Sequence, residues 1–476
     1  MREVLSVVGG ELVPPGDDRL EVLDPATGEV IAVSADLDER QVAGAVAAAR
    51  AAFPGWAARP PAARAEVLRR AGDLLAERAA GVVDDLVAEG GKPVREARAE
   101  VVKSIATFRY YAGLAGALDG RAFAGGRERL RHETRLEPVG VVAAVTPWNV
   151  PAAGPARKLA PALLAGDCVI LKPATATPIT ALHLVRCLAD AGADPGAVSL
   201  VCGRGSRAGQ ALVTDPRVAA VSFTGSTAVG LDLKSALGRT LTRLQLELGG
   251  KNAALVLADA DLADAAEWIV GAAFALAGQQ CTATSRVVVA DEVHDALVEQ
   301  LLVRVRALRV GDPRQEATDM GPLIDERHRR EVHGYVERAA KTARVATGGQ
   351  DLPGPGTFYA PTVLTEVTSG QEVAREEVFG PVLAVLRCAS LDDGLEILNE
   401  PAYGLSAAVH TRDLAAAQEV AARAECGVVA VNGPTSGIEL AAPFGGFKLS
   451  GTDSKEHGPE SLSFYTRTKL VSWGWR

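Results

Sequence analysis

No apolar run in the chain is long enough to span a bilayer, because charge, Gly or Pro interrupts every hydrophobic stretch. A membrane partner is therefore not expected. The N-terminal stretch MREVLSVVGGELVPPGDDRL lacks the apolar core and small-residue cleavage site of a secretory signal, so a cytoplasmic location is expected. Positive charge is not in excess either: the formal net charge is −9. That balance disfavours nucleic acid or an anionic membrane as a bulk partner, since both are attracted by surplus Lys and Arg. The six cysteines contain no CxxC pair, so neither a metal site nor a disulfide framework is expected. Most of them sit in apolar runs such as GDCVI and SLVCG, as buried reduced thiols do. Cys281 alone lies among small polar residues, in AGQQCTATSR. Lysine is sparse beside arginine, which draws attention to Lys158, Lys172 and Lys251 as places where an ammonium is needed rather than a guanidinium fork.

What is present is an ordinary folded composition, with 48% hydrophobic and 23% charged residues. At 476 residues the chain exceeds one core, and two or three units are expected. The first hundred residues carry helical periodicity over Asp36 to Phe53, Pro61 to Glu89 and Lys92 to Gly116. From Glu137 onward, short β-rich runs (VGVVAAVTPW, DCVILKPA, AVSLVCG, AAVSFTGS) alternate with helical ones. That alternation predicts an α/β fold with a parallel, doubly wound sheet. The run LQLELGGKNAALVLA reads as one strand opening a further α/β stretch.

Five segments carry chemistry. In VTPWNVP a strand ends at Pro147, and Asn149 offers a neutral donor suited to a developing oxyanion; a turn Asn beside proline has the same signature. In VILKPATATP a buried strand delivers Lys172 at its carboxyl end, where parallel sheets bind ligands, although a solvated lysine capping the sheet fits equally. Gly203, Gly205 and Gly209, and then Gly225 with Ser226, lie between strand and helix, where close backbone approach and a helix N-terminus favour phosphate. The spacing is GxGxxxG rather than the GxGxxG fingerprint, and tight turns alone account for such glycines too. In LELGGKN, Glu247 is a carboxylate in an apolar strand, either a desolvated general base or a structurally bonded acid. Around Cys281, backbone N–H groups stand to stabilise a thiolate and an oxyanion, although a lone cysteine is usually inert.

Taken in order, TPWNVP, LKPATATP, FTGSTAVG, LELGGKN, GQQCTATSR, EEVFGPV and APFGGFKLSG resemble the NAD(P)+-dependent aldehyde dehydrogenase superfamily. The resemblance runs from Asp24 to the FYTRTKLV segment at Phe464, and the separation of Glu247 from Cys281 also matches. It implies an open parallel-sheet cofactor domain over 1–117 and 139–249, and a catalytic α/β domain over 250–448. It also implies an oligomerisation element of 118–138 with 463–476, giving a homodimer or homotetramer. The alternation of Trp473 and Trp475 suits a strand with one face in a partner subunit. The implied nucleophile is Cys281, with Asn149 and the Cys281 N–H on the oxyanion, Glu247 activating water, and Lys158 in the catalytic set. The implied cofactor contacts are Thr146, Pro147, Trp148, Lys172, Ala174, Thr175, Gly205, Gly209, Phe223, Thr224, Gly225, Ser226, Leu248, Glu377 and Phe379. The cofactor is NAD+ or NADP+, and no metal is implied.

Two departures stand out. Thr175 occupies the place of a glutamate common in NAD-preferring members, so NADP+ is expected to be at least tolerated. The stretch TDSKEHG departs from the family's usual pattern at Lys455 and His457. For the substrate, Arg157 resembles the carboxylate-binding arginine of succinic semialdehyde dehydrogenases, and its spacing from Asn149 places both on one helix face; a surface arginine is the alternative. CTATSR and VNGPTSGIE look like α-ketoglutaric semialdehyde dehydrogenases. Phe444 belongs to the expected substrate pocket, and an acid-bearing semialdehyde is the expected substrate. Uncharged aliphatic or aromatic aldehydes, a CoA-acylating enzyme and a non-catalytic relative are the rivals; Glu247 argues against CoA as acyl acceptor.

Overall fold

The computed structural model describes residues 2–475. Residues 1 and 476, the outer ends of the expected cofactor-binding and oligomerisation segments, lie outside the described residues. The β-branched runs assemble into two seven-stranded sheets. The first holds, in spatial order, Arg243–Glu247, Ala220–Thr224, Val141–Val145, Cys168–Lys172, Val198–Leu200, Ser6–Val8 and Glu11–Val13. Its first five strands are parallel and buried almost throughout, as the continuous apolar runs require. The last two form an antiparallel hairpin on one edge, which the strand–helix alternation further along the chain does not foretell.

The second sheet holds Arg344–Thr347, Thr362–Thr365, Val382–Cys388, Arg286–Ala290, Ala253–Val256, Ser406–His410 and Val428–Val431, parallel except at Arg344–Thr347. Separate cores back the two sheets. One gathers Trp56, Leu68, Phe108, Leu159 and Ile170; the other gathers Val256, Ile269, Leu297, Val332 and Leu383. A third, antiparallel sheet joins Thr466–Gly474 to Leu130–Pro138 and Ala122–Ala124. No helix among the described residues is long and apolar enough to cross a membrane.

Several sequence expectations need correction. LQLELGGKNAALVLA is not one strand: Arg243–Glu247 and Ala253–Val256 belong to different sheets. The chain crosses between them through Gly249 and Gly250 because nothing larger fits. A Cβ on Gly249 would lie 2.1 Å from Glu377 Oε2, and one on Gly250 would lie 2.7 Å from the Cys281 carbonyl oxygen. The first helix is Glu39–Ala58, started by a capping box between Asp38 and Gln41. The stretch Pro61 to Glu89 breaks into Pro61–Glu77 and Ala79–Gly90 at Arg78, whose guanidinium is drawn to Asp190 and whose ψ of 4° leaves the helical well. The fourth helix is Val94–Ala112, shorter than the Lys92 to Gly116 stretch, and it follows Pro93.

Candidate active site

Cys281 follows the helix Leu262–Phe274 after a short turn in which Leu276 and Ala277 both adopt left-handed backbone, at φ 52° and 55°. Such conformations persist only where the surroundings hold them. Here Leu276 N donates to Glu96 Oε1 at 3.0 Å. Gln279 Oε1 accepts from Ile324 N at 2.9 Å, and Gln279 Nε2 donates to the Pro322 carbonyl at 3.3 Å. From the other side, Asn252 Nδ2 donates to the carbonyls of Cys281 and Ala283, both at 2.8 Å. Among the described residues Cys281 is the only partly exposed cysteine; the other five are buried. Its thiol is nevertheless pushed up to about 12, by burial first and then by Glu377, Glu247 and Glu456, with Arg157 opposing. Desolvation and these carboxylates oppose the thiolate that nearby backbone N–H groups are expected to help stabilise.

Asn149 sits in the bend between Val141–Val145 and the helix Ala153–Ala165. It is therefore not on the helix that carries Arg157, and the shared-face argument from spacing fails because the helix starts only after Pro151 and Ala152. The two are near the same centre for another reason. Asn149 Nδ2 donates to the Gln279 carbonyl at 2.9 Å, which ties it to the cysteine turn and leaves its second N–H available. The Asn149 carbonyl accepts from Lys92 Nζ at 2.7 Å; Lys92 pairs with buried Glu100, whose Oε1 accepts from Ala152 N at 2.8 Å and Ala153 N at 3.0 Å. Sequence reasoning missed Lys92 and Glu100. Their only signal was a rare lysine and a carboxylate on the inner face of a helix.

Glu247 ends its strand in the first sheet, buried, with both carboxylate oxygens lacking a hydrogen-bond partner. Burial lifts its carboxyl well above the ordinary range, Glu456 adds to the lift, and Lys158, Lys455 and Arg157 oppose it. The structurally bonded alternative has no partner to support it. Lys158 is fully buried, paired with Glu456 and donating to Ser222 Oγ at 2.8 Å. Arg157 is half-buried, and its Nε is buried without a partner, which is not the environment of a surface arginine. Phe444 is buried and stacks on His457, with ring centroids 5.4 Å apart.

The remaining predicted residues lie at strand ends and turns of the first sheet, with Glu377 and Phe379 just before a strand of the second. Lys172 ends its strand and donates to the Pro173 carbonyl at 3.0 Å; burial pushes its ammonium down to about 8. A Cβ on Gly209 would stand 3.7 Å from Lys172 Cε, so the turn Gly205–Gly209 folds over the lysine. Thr146 N donates to the Lys172 carbonyl at 3.1 Å, and half-exposed Ala174 and Thr175 follow the strand. Ser226 caps the helix Thr227–Leu237, and Gly225 N donates to the Glu247 carbonyl at 3.1 Å. The Phe223 ring lies under Gly225, Thr224 is paired with Glu247, and Leu248 packs on Gly230. Glu377 Oε1 accepts from Gly250 N at 2.9 Å, and burial pushes its carboxyl up to about 7. Phe379, with φ of 53°, meets Trp148 edge-on at 5.5 Å, just past Pro147. Ser226, Thr227 and Glu377 border a cleft of about 670 Å³. A capped helix N-terminus and a carboxylate at this cleft, with the buried Lys172 ammonium at the end of another strand of the first sheet, are a donor set that fits a dinucleotide.

A model of the aldehyde dehydrogenase family matches residues 12–471. The 2,5-dioxopentanoate dehydrogenase of Saccharolobus solfataricus is 41% identical over 464 residues, covering 97% of each chain. The α-ketoglutarate semialdehyde dehydrogenase of Haloferax volcanii is 40% identical over 461 residues, covering 95% of each. Among solved structures, an aldehyde dehydrogenase from Brucella melitensis biovar abortus superposes with a TM-score of 0.96 at 34% identity, covering 99% of this chain and 98% of that one.

Proposed function

The chain belongs to the aldehyde dehydrogenase family, an NAD(P)+-dependent enzyme class, and we propose from that premise that its substrate is an acid-bearing semialdehyde of the 2,5-dioxopentanoate type. The observation that carries the substrate reading is Arg157: a guanidinium with a buried, unpartnered Nε whose charge acts on both Cys281 and Glu247. A substrate carboxylate supplies the missing partner and thereby sets the aldehyde end toward the thiol. The names of the two relatives above support the same class.

In the proposed reaction Cys281 Sγ forms a bond to the aldehyde carbon as its proton leaves to solvent. The second N–H of Asn149 and the Cys281 backbone N–H hold the oxyanion. Bound NAD(P)+ supplies the hydride acceptor, and the product on the protein is a Cys281 thioester. Glu247 then takes a proton from water, the oxygen attacks the thioester carbon, and the C–S bond breaks to release the acid. Lys158, held by Glu456, keeps a positive charge beside Glu247 and favours its ionised form. Lys172, Gly225, Ser226 and Glu377 hold the dinucleotide. Thr175 leaves room for a 2′-phosphate, so NADP+ is accepted as well as NAD+. We further place cofactor binding in 1–117 with 139–249, catalysis in 250–448, and subunit contacts in 118–138 with 463–476.

Arg157→Ala tests the substrate reading. KM for the acid-bearing aldehyde is expected to rise by about 10-fold or more, the loss of a charge-assisted pair, while KM for an uncharged aldehyde of equal length changes little. Equal changes for both remove Arg157 from the site.

A further inference from the structure

The departure at TDSKEHG places a histidine where nothing else in the fold uses one. His457 is 1% exposed and holds a left-handed backbone at φ 62°. Both ring nitrogens are buried without a hydrogen-bond partner; the Glu439 backbone faces the ring but makes no bond of normal geometry. A ring needed only for packing against Phe444 has no use for two polar atoms, which cost stability when left unpaired in an interior.

The surroundings say what such a ring can take. The loop carrying Phe444 is clasped to the loop carrying His457. Phe444 N donates to the Glu456 carbonyl at 2.6 Å, and Gly458 N donates to the Leu440 carbonyl at 3.0 Å. Lys103, from the helix Val94–Ala112, reaches the same loop and donates to the Ile438 carbonyl at 3.1 Å. Arg157 completes the group. Lys92 and Lys158 are each paired with a glutamate; Lys103 and Arg157 form no ion pair among the described residues. The charges of Arg157, Lys103 and Lys158 act on His457, and after burial they hold the imidazole well below its ordinary range. The site thus offers two cations and one neutral donor side by side, next to Glu456, whose charge reaches Cys281.

We propose that His457 is a specificity residue that donates its ring N–H to the 2-oxo oxygen of the substrate, while Arg157 and Lys103 hold the adjoining carboxylate. This rests on the acid-bearing substrate proposed above and names the feature of that substrate the protein reads. Cations suit the carboxylate, and a neutral N–H suits a neutral carbonyl one carbon away. A site built to hydrogen-bond a substrate oxygen rejects the analogue that lacks it.

The test compares kcat/KM for 2,5-dioxopentanoate with that for 5-oxopentanoate, the same chain without the 2-oxo group. The wild type favours the former, and His457→Phe lowers that ratio by about 10- to 100-fold, the span of one hydrogen bond to a buried partner. His457→Gln, which keeps an N–H and bears the same backbone cost, retains most of the ratio. An unchanged ratio in His457→Phe overturns the proposal, as does an equal loss on both aldehydes, which marks a packing role. Product inhibition of the wild type needs no variant: 2-oxoglutarate inhibits more strongly than glutarate, and equal inhibition overturns the proposal. A wild type that oxidises only uncharged aldehydes rejects the substrate class itself, whereas equal rates on the two acids reject only the role of His457.

Discussion

At the scale of single residues, two protons decide the chemistry. The Cys281 thiol is pushed up to about 12 and the Glu247 carboxyl well above its usual range, both chiefly by burial. Burial favours the protonated form of both groups and both must lose the proton, so the rate is expected to rise with pH from about 6 to 9; a profile that falls over that span contradicts the assignment. Glu247→Gln is expected to leave a rapid burst of about one reduced cofactor per subunit and to slow steady turnover by roughly 100-fold or more, measured by stopped-flow absorbance. Loss of the burst itself places Glu247 before the thioester rather than after it. Cys281 was legible in the sequence because its setting is small and polar, and Glu247 because a carboxylate in an apolar strand is costly. Lys92, Glu100 and Lys103 were not legible. Glu100 and Lys103 lie on the inner face of an amphipathic helix, whose period reports that a position is buried without saying what it meets, and Lys92 lies in the short link just before it.

Elements are tied together by buried carboxylates that no local pattern announces. The helix Pro178–Asp190 starts at Thr177 with no side-chain cap of its own. Its first N–H groups are met from another helix: Glu89 accepts from Ile179 N and Thr180 N, both at 2.8 Å. A remote carboxylate thus does the work of an N-cap. Those bonds favour the charged form, but burial outweighs them and pushes the Glu89 carboxyl up to about 8. The folded state therefore binds this proton more tightly than the unfolded chain, and the stability it lends is full below 4.5 and lost as pH rises through about 8. Glu89→Ala should destabilise the protein by about 1–3 kcal/mol, most at acid pH, as measured by denaturant unfolding; no change in midpoint would refute the cap. The misread strand at LQLELGGKNAALVLA belongs to this scale as well. Apolar alternation is equally good on both sides of Gly249 and Gly250, and only the approach of Glu377 and the Cys281 carbonyl shows why the chain must cross there.

For the whole molecule, seven motifs in order made the α/β architecture readable, and four of them, TPWNVP, LKPATATP, FTGSTAVG and LELGGKN, sit at the carboxyl ends of parallel strands on one rim of the first sheet. The antiparallel edge hairpin Ser6 to Val13 closes locally over Gly9 and Gly10, but its strands are three residues each, too short to show a period, and its seat beside Val198–Leu200 spans a long sequence separation. The third sheet presents Thr466–Gly474 as a nine-residue edge strand, with Phe123, Leu470, Trp473 and Trp475 all 45–62% exposed. A long apolar edge is a template for pairing with another chain. The wild type is therefore expected to be a dimer or tetramer by light scattering after size exclusion, and the double variant Trp473→Glu, Trp475→Glu a smaller species; a monomeric wild type ends that reading. The central claim, oxidation of an acid-bearing semialdehyde at Cys281, is tested most directly by the initial rate of cofactor reduction with 2,5-dioxopentanoate and with pentanal, in the wild type and in Cys281→Ala. The account predicts a kcat/KM at least about 10-fold higher for the acid, the worth of one charge-assisted pair, and no reduction of cofactor with either aldehyde in the variant. Equal rates with both aldehydes, or activity that survives in Cys281→Ala, would contradict it.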